Sequence, residues 1–483
     1  MGFQEARTEY KGMVGQFHTL AGIDCDPEAC QDFENLTGAP AVQMDLFSRD
    51  DYMAFHGQEP PGDWAEVRPI DLLETTRGEH PDVVFLSPPC KGFSGLLPSE
   101  KSKSEKYQAL NRLVVRGLQL VMDAYTDDLP AVIMLENVPR ITSRGEFLLK
   151  QVKSLLGKYG YVFHEGTHDC GELGGLGQRR KRYLLVARLP EKMTSFIYRP
   201  PKKRLKSIGD VIGPLPMPDD PAMGPMHRLP RLQRKTWVRL ALISAGGDWR
   251  DLEHCEKYSI EYIGRDGSGT VVGHVRVGHS NGVAAISDPR TYFKDSTHHA
   301  IYRVMPWDEP SNTVTGAMRP NNGAISIADP RLGCSCRSGS YGVQDWNQPG
   351  KTVTGAGDIH SGSSAIADPR IPKDTEVLDP PPVIISVDGT WHRPLTTLEL
   401  AVLQSLKPYM SDGRPLQLAG NSDARWRERI GNMVPVQAAQ AIAEEILLSF
   451  LASEAKEEFR LTAAGIWVVP EDKENQYVGG MMN

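Results

Sequence analysis

The chain predicts an α/β fold, a mostly parallel sheet with helices on both faces. Three observations carry this expectation. Short apolar runs read as strands at residues 20–23, 83–86, 131–135 and 183–187. Between the second and third, Leu110, Leu113, Val114, Leu118 and Val121 fall on one face of a helix over residues 107–125, and residues 146–159 repeat that spacing. Strand and helix therefore alternate, which is the pattern of a parallel sheet covered on both sides.

The remaining elements follow in order. The first strand ends at Asp24, in Gly22-Ile23-Asp24-Cys25-Asp26-Pro27. Residues 82–86 are apolar after their first position and run into Ser87-Pro88-Pro89-Cys90, where two prolines stiffen a turn and Lys91-Gly92-Phe93-Ser94-Gly95 follows as a glycine-rich loop. A thiol at the carboxyl end of an α/β strand stands where open sheets place their chemistry. A thiolate is also a strong nucleophile. Most single cysteines are nonetheless small buried hydrophobes, so Cys90 gains weight only from its company. The third strand leads into Glu136-Asn137-Val138-Pro139, and Gln178-Arg179-Arg180-Lys181-Arg182 opens the last.

From about residue 192 to 385 proline and glycine are frequent and helical spacing is scarce. This stretch carries an internal repeat. Tyr302-x-Val304-x-x-Trp307-x-x-Pro310-x-x-Thr313-Val314-Thr315-Gly316 recurs 39 residues on, from Tyr341 to Gly355, with Trp346 and Pro349 in the equivalent places. Asp-Pro-Arg follows each copy, at Asp329 and Asp368, and also occurs at Asp288. Stacked β-rich units are expected, with the tryptophans as packing anchors. Helical spacing returns over 396–406, after Arg393-Pro394-Leu395-Thr396-Thr397, and over 434–451, after Gly431-Asn432-Met433-Val434-Pro435. The last thirty or so residues are charged apart from Ile466-Trp467-Val468-Val469.

With 483 residues, 40% hydrophobic and 24% charged, the chain is long enough for two or three domains with a full core. No apolar stretch approaches the ~20 residues of a membrane span, and residues 1–7 contain no signal-peptide core. The seven cysteines are scattered without a Cys-x-x-Cys pair, and Cys334 with Cys336 are too few for zinc, so no metal is expected and a reducing, cytoplasmic compartment fits. Net charge is −7, which argues against a uniformly basic nucleic-acid binder, yet residues 199–250 hold eleven Lys/Arg against four Asp, a local +7 suited to tracking phosphates.

Each of these motifs has a bland alternative when taken singly: a solvated Glu136, a surface charge run at 178–182, an ordinary turn at Gly431-Asn432. Taken in order, Cys90, Glu136-Asn137-Val138, Gln178 to Arg182, Arg393 to Thr397 and Gly431 to Pro435 closely resemble the motifs of cytosine-5 DNA methyltransferases. The resemblance covers residues 1–190 and 390–450. It implies a Rossmann-like class I methyltransferase sheet and a smaller β-rich target recognition domain. The implied division is a catalytic domain over 1–192, a recognition domain over 193–385, a return segment over 386–455 and a tail over 456–483.

By this resemblance Cys90 is the thiolate that adds to cytosine C6, Glu136 contacts N3 and the exocyclic amine, Arg182 contacts O2, and Arg180 supports Arg182. The target base would be extruded from double-stranded DNA at a cost of a few kcal/mol. Lys91, Phe93, Ser94, Gln178, Arg393 and Thr396 are the implied DNA contacts. Lys91 departs from the glutamine common in the family and reads as variation. The methyl donor would be S-adenosyl-L-methionine, held by Asp24, Cys25, Asp45, Leu46, Pro88, Asn111 and Leu113, with Asn432 and Val434 closing the site. Gly2 stands for the last glycine of the family's Gly-rich donor loop, which the chain otherwise lacks together with the central strand. Either translation starts upstream or the gene is interrupted; the intact later motifs favour an upstream start, and the chain as written should bind donor poorly. A monomeric, cytoplasmic enzyme of bacterial or phage origin is expected, away from membranes. The rivals are a tRNA cytosine-5 methyltransferase, whose recognition region would be shorter, and an inactive DNA-binding protein.

Overall fold

A computed structural model of the chain describes residues 1–89, 104–194, 198–232, 237, 240–246, 260–262, 271–273, 304–305, 326–327, 343–352, 365–370, 386 and 390–456. Helix α1 (Gly2–Glu5) leads into a hairpin of β1 (Arg7–Tyr10) and β2 (Met13–Gln16). Sequence reading passed over this hairpin. Its two-residue turn puts Lys11 and Gly12 at φ of 50° and 78°, the left-handed pair that a tight hairpin needs.

The strands β3 (Gly22–Asp24) and β4 (Ala41–Gln43) pair in parallel and flank α2 (Pro27–Thr37). Helices α3 (Arg49–His56) and α4 (Pro69–Thr75) follow. Then come β5 (Val83–Leu86), α5 (Glu105–Ala124), β6 (Val132–Asn137), α6 (Ile141–Arg144), α7 (Glu146–Lys158), β7 (Val162–Asp169), α8 (Cys170–Gly174) and β8 (Lys181–Arg188). Four of these strands form one sheet in the order β5-β6-β8-β7.

The sheet is mixed, which corrects the expectation of a mostly parallel one. β5 and β6 are parallel, but β8 runs antiparallel to both β6 and β7. The cause is β7, a polar eight-residue strand that apolar patterning did not mark; it pairs with β8 along its whole length. The β3–β4 pair is not hydrogen-bonded to this sheet.

Helices cover both faces of the four-stranded sheet, as expected. Ile133 and Leu135 of β6 pack with Leu118 of α5 and Val152 of α7. The alternate residues Val132 and Met134 pack with Ala438, Ile442 and Ile446 of the final helix. Period-two alternation in a strand buried on both sides explains why all of β6 is apolar until Glu136.

Beyond β8 lies a short helix, α9 (Ile208–Ile212), then β9 (Ile260–Tyr262) and β10 (Val271–Gly273). The repeat is visible as geometry. β11 (Val304–Met305) pairs in parallel with β12 (Ser326–Ile327), Val304 opposite Ser326. β13 (Val343–Asp345) pairs in parallel with β14 (Ala365–Asp368), Val343 opposite Ala365. Both partners are displaced by the 39 residues of the sequence repeat. Trp346 behaves as the expected anchor: it packs on the cluster around Ile208 and Ile212, and the Arg370 guanidinium lies 4.8 Å above its ring. A Cβ on Gly209 would come within 2.0 Å of the Trp346 ring nitrogen, so only glycine admits this contact. Trp307, Asp288 and Asp329 lie outside the described residues.

β15 (Trp391–Pro394) pairs antiparallel with β14, so the return segment enters through the sheet of the second repeat. Helices α10 (Thr397–Leu403), α11 (Asp423–Asn432) and α12 (Val436–Glu454) complete the chain. The window 423–454 reaches the length and hydropathy of a membrane span, contrary to the sequence reading. The 18-residue window that meets the criterion is 56% buried within the fold, and the span is broken between α11 and α12, as befits core helices. The tail from 457 onward lies outside the described residues.

Candidate active site

Strand register assembles the centre of the site. The last pair of β5 and β6 is Leu86 with Leu135, so the next residues, Ser87 and Glu136, emerge side by side. Ser87 Oγ donates to Glu136 Oε2 at 3.0 Å. On the other side, Glu136 faces Leu184 of β8, and Arg182 sits two residues before Leu184 on the same face. Such diagonal neighbours are within reach of long side chains. Arg182 Nε donates to Glu136 Oε1 at 2.9 Å, and both side chains are largely buried. A carboxylate is thus held from both sides at the sheet edge, with the polypeptide leading to Cys90 beginning at Ser87. Cys90 itself, with Lys91, Phe93 and Ser94, lies outside the described residues.

The described cysteines offer no rival nucleophile. Cys25, Cys30 and Cys170 are free thiols. Burial pushes each of them up, Cys25 and Cys170 to about 11, so all three stay protonated near neutrality.

Arg180 is fully buried and braces the site. Its Nη2 donates to the carbonyls of Gly431 (2.8 Å) and Met433 (2.9 Å), and its backbone NH donates to Asp169 Oδ1 at 2.8 Å. The strand bearing Arg182 is thereby tied to the α11–α12 junction.

Three of the expected DNA contacts are corrected. Gln178 is 0% exposed and its amide donates to Leu403 O and Gln404 Oε1. Arg393, also 0% exposed, lies between Asp368 (2.6 Å) and Glu399 (2.7 Å). Thr396 is the N-cap of α10, accepting from Glu399 NH while its own NH donates to the Glu399 carboxylate. These residues join the repeat sheet to the return helices; none reaches solvent. Burial alone pushes Glu399 up, but the adjoining Arg393 holds its carboxyl below the usual range.

The donor-side residues gather at the ends of β3 and β4. Asp24 Oδ1 accepts from Asp26 NH at 2.8 Å, and Gln43 Nε2 donates to the Cys25 carbonyl. Asp45 accepts from Phe47 NH (3.0 Å) and from the Trp64 ring nitrogen (3.4 Å). The carboxylates of Asp24 and Asp45 both act on Cys25, so the two acids stand near one thiol. Leu46 O accepts from Arg116, fixing the loop on α5. From α5, Asn111 contributes a buried Oδ1 without a partner among the described residues, while Leu113 packs beside Phe47. Pro88 is half-buried, Asn432 is exposed at the end of α11, and Val434 is half-buried just beyond. Gly2 is packed against α12, where a Cβ would meet Val436 O at 2.5 Å; helix crossing accounts for its being glycine. A paired acidic edge with a partnerless amide oxygen on α5 fits the hydroxyls and amine of an adenosine-bearing donor.

Sequence reasoning missed Ser87 as the second partner of Glu136. The signal was available: two strands of a parallel sheet ending in Ser87 and Glu136 place one short donor beside one acid.

A family model for C-5 cytosine-specific DNA methylases matches residues 21–234. Type II methyltransferase M.MspI of a Moraxella species is 29% identical over 171 residues, 35% of this chain and 37% of the relative. A putative type II methyltransferase, M.MjaORF1200P of Methanocaldococcus jannaschii, is 24% identical over 156 residues, 31% of this chain and 38% of the relative. The chain thus spans under two-fifths of the length of these curated relatives. Among solved structures, the Entamoeba histolytica methyltransferase EhMeth superposes at a TM-score of 0.43 with 12% identity, over 91% of this chain and all of that one. A putative DNA modification methyltransferase from an E. coli prophage gives 0.43 with 15% identity over 89% and 92% of the two chains. The α/β sheet and the edge carboxylate fall within the stretch that matches the methylase model. Residues 21–234 are thus similar to the C-5 cytosine-specific DNA methylases.

Proposed function

We propose that this chain methylates C5 of a cytosine swung out of double-stranded DNA. The observation that carries the reading is Glu136, gripped by Ser87 and Arg182 at the edge from which the chain runs to Cys90. In this reading the Cys90 thiolate adds to C6. That addition makes C5 nucleophilic by pushing electron density around the ring. Glu136 shares a proton with N3 and accepts from the exocyclic amine. Arg182 turns from Glu136 to O2 and stabilises the charge that builds there, the electrostatic task that dominates many sites. Once C5 is methylated and has lost its proton, the sulfur leaves C6 and the ring regains its double bond. S-adenosyl-L-methionine, when bound, supplies an electrophilic methyl group; Asp24 and Asp45 would hold its hydroxyl and amine groups, with Asn111 beside them.

The same reading takes residues 193–385 as the target recognition domain of a Rossmann-like class I enzyme, working as a cytoplasmic monomer. Supporting it are the repeat sheet at 343–368 and its direct attachment to the catalytic strands. The test is adduct trapping on duplex DNA containing 5-fluorocytosine, in the presence of donor. A denaturant-stable complex with the wild-type chain, absent from Cys90→Ser, is expected. Methylation by Cys90→Ser, or transfer confined to tRNA, overturns the reading.

A further inference from the structure

The outer strand of the sheet carries two histidines with no part in the chemistry proposed above. Side chains alternate along β7, so His164, Gly166 and His168 share one face. Gly166 leaves a gap in that row. A Cβ built on it would stand 3.6 Å from Nε2 of His168 and 3.9 Å from Nε2 of His164. Four residues of extended strand put the two Cα atoms about 13 Å apart. The rings must therefore lean toward one another to border the same space.

Packing accounts for one side of this arrangement. The Tyr198 ring lies 5.9 Å from that of His164 and 5.6 Å from that of His168, at right angles to the second. One atom is left over. Nε2 of His168 is buried and has no hydrogen-bond partner among the described residues, although buried polar atoms as a rule have one. Burial, with the charges of His164 and Lys202, holds His168 below the usual histidine range, so its imidazole is neutral at pH 7. With the proton on Nδ1, Nε2 offers a lone pair to the gap. Lys202 is itself engaged by Glu172 at 3.1 Å. His164 is exposed, so the pair lies at the surface.

We propose that His164 and His168 form a two-histidine site for a divalent transition cation of the zinc, nickel and copper kind, held above Gly166 by Nε2 of each ring. Imidazole nitrogen suits these ions, whereas calcium and magnesium call for oxygen. Metal–nitrogen bonds are about 2.0–2.1 Å long, so modest ring rotations bring both atoms onto one ion in a gap that already admits an extra carbon. Among the described residues no third His, Cys, Asp or Glu joins the pair. Water then completes the coordination, which makes the ion exchangeable. Gly166 belongs to the site because a branched side chain there would occupy the ion's place.

The test is isothermal titration calorimetry of the untagged full chain, freed of metal, with Ni²⁺. Loss of an outer-shell partner alone costs about 10–100-fold in metal affinity, so His164→Asn and His168→Asn should each weaken binding by at least about tenfold. Gly166→Val keeps both ligands and suits a strand; its Cβ makes only ordinary contacts and its φ lies outside the left-handed region. It should abolish binding by filling the gap. His80→Asn removes a histidine whose Nδ1 faces the Asp128 carbonyl, and should leave the affinity as it was. Melting temperatures without metal check that each variant is folded, and the exposed His164 keeps the test open if His168→Asn is not. Added Ni²⁺ should raise the melting temperature of the wild type and not that of Gly166→Val. Wild-type affinity in the double histidine variant or in Gly166→Val overturns the proposal. So does a wild-type chain with no saturable binding up to about 1 mM.

Discussion

The two strand pairs that carry the proposed chemistry are built to different standards. Every residue of β6, which presents Glu136, is buried, and its neighbours on both faces are core side chains. No residue of β3, which presents Asp24, is buried, and Ile23 is 39% exposed. The proposed cytosine side of the site is therefore part of the core. The proposed donor side is a short pair whose shape is held by turns and by a clamp in which Arg425 and Arg429 of α11 grip Asp26, Glu28 and Asp32 around α2. Substitutions on the two sides should fail in different ways.

The largest expected effect is on rate. Glu136→Gln keeps the shape of the side chain but removes the proton exchange, so kcat should fall by about 10²–10⁴, read by tritium transfer to DNA. A loss below tenfold would contradict the role of Glu136. Next comes stability on the core side. Glu399→Gln leaves Arg393 buried with one fewer partner, a change that costs about 3–5 kcal/mol, read by urea denaturation. The same pair makes an acid prediction. The folded Glu399 titrates below the usual carboxylate range because of Arg393, so its contribution is present above the ordinary carboxylate value. That contribution is lost as pH falls through the depressed folded value, and Glu399→Gln should flatten the acid limb of the stability curve.

Two truncations test the comparison directly. Met134→Ala, in the buried strand, should cost about 2–5 kcal/mol. Ile23→Ala, on the half-open strand, should cost about 1 kcal/mol or less, in proportion to the little area it buries. Equal costs would show that the pair is as firmly held as the sheet. The smallest expected effect is Asp24→Asn, which should leave the melting temperature unchanged and weaken donor binding about tenfold, the value of one charge-assisted hydrogen bond, read by equilibrium dialysis.

Much of this was legible before any coordinates. β5 falls on residues 83–86 as read, and α7 differs from its expected span by one residue at its end. Glu136 and Arg182 were named and are in contact. The misreadings share a cause. Gln178, Arg393 and Thr396 are polar residues in motif-like runs, and a linear sequence does not reveal which polar groups meet each other inside. Their partners, such as Gln404 for Gln178 and Asp368 for Arg393, are 226 and 25 residues away. β7 was passed over because five of its eight residues are polar and its exposed side chains dilute the apolar signal. Asp24 and Asp45 were legible as acids at strand ends, but their convergence on Cys25 depends on the β3–β4 register.

The closed register of the repeat has a consequence for descent. Each parallel strand pair is completed inside its own copy, and among the described residues only the second copy is bonded to the segment, Gly177 to Arg179, that leads into the strand bearing Arg182. Whole cassettes can thus be gained or deleted ahead of Val343 while the anchoring copy keeps its grip. A protein built this way can change length in fixed increments ahead of Val343 while the anchoring contacts stay in place.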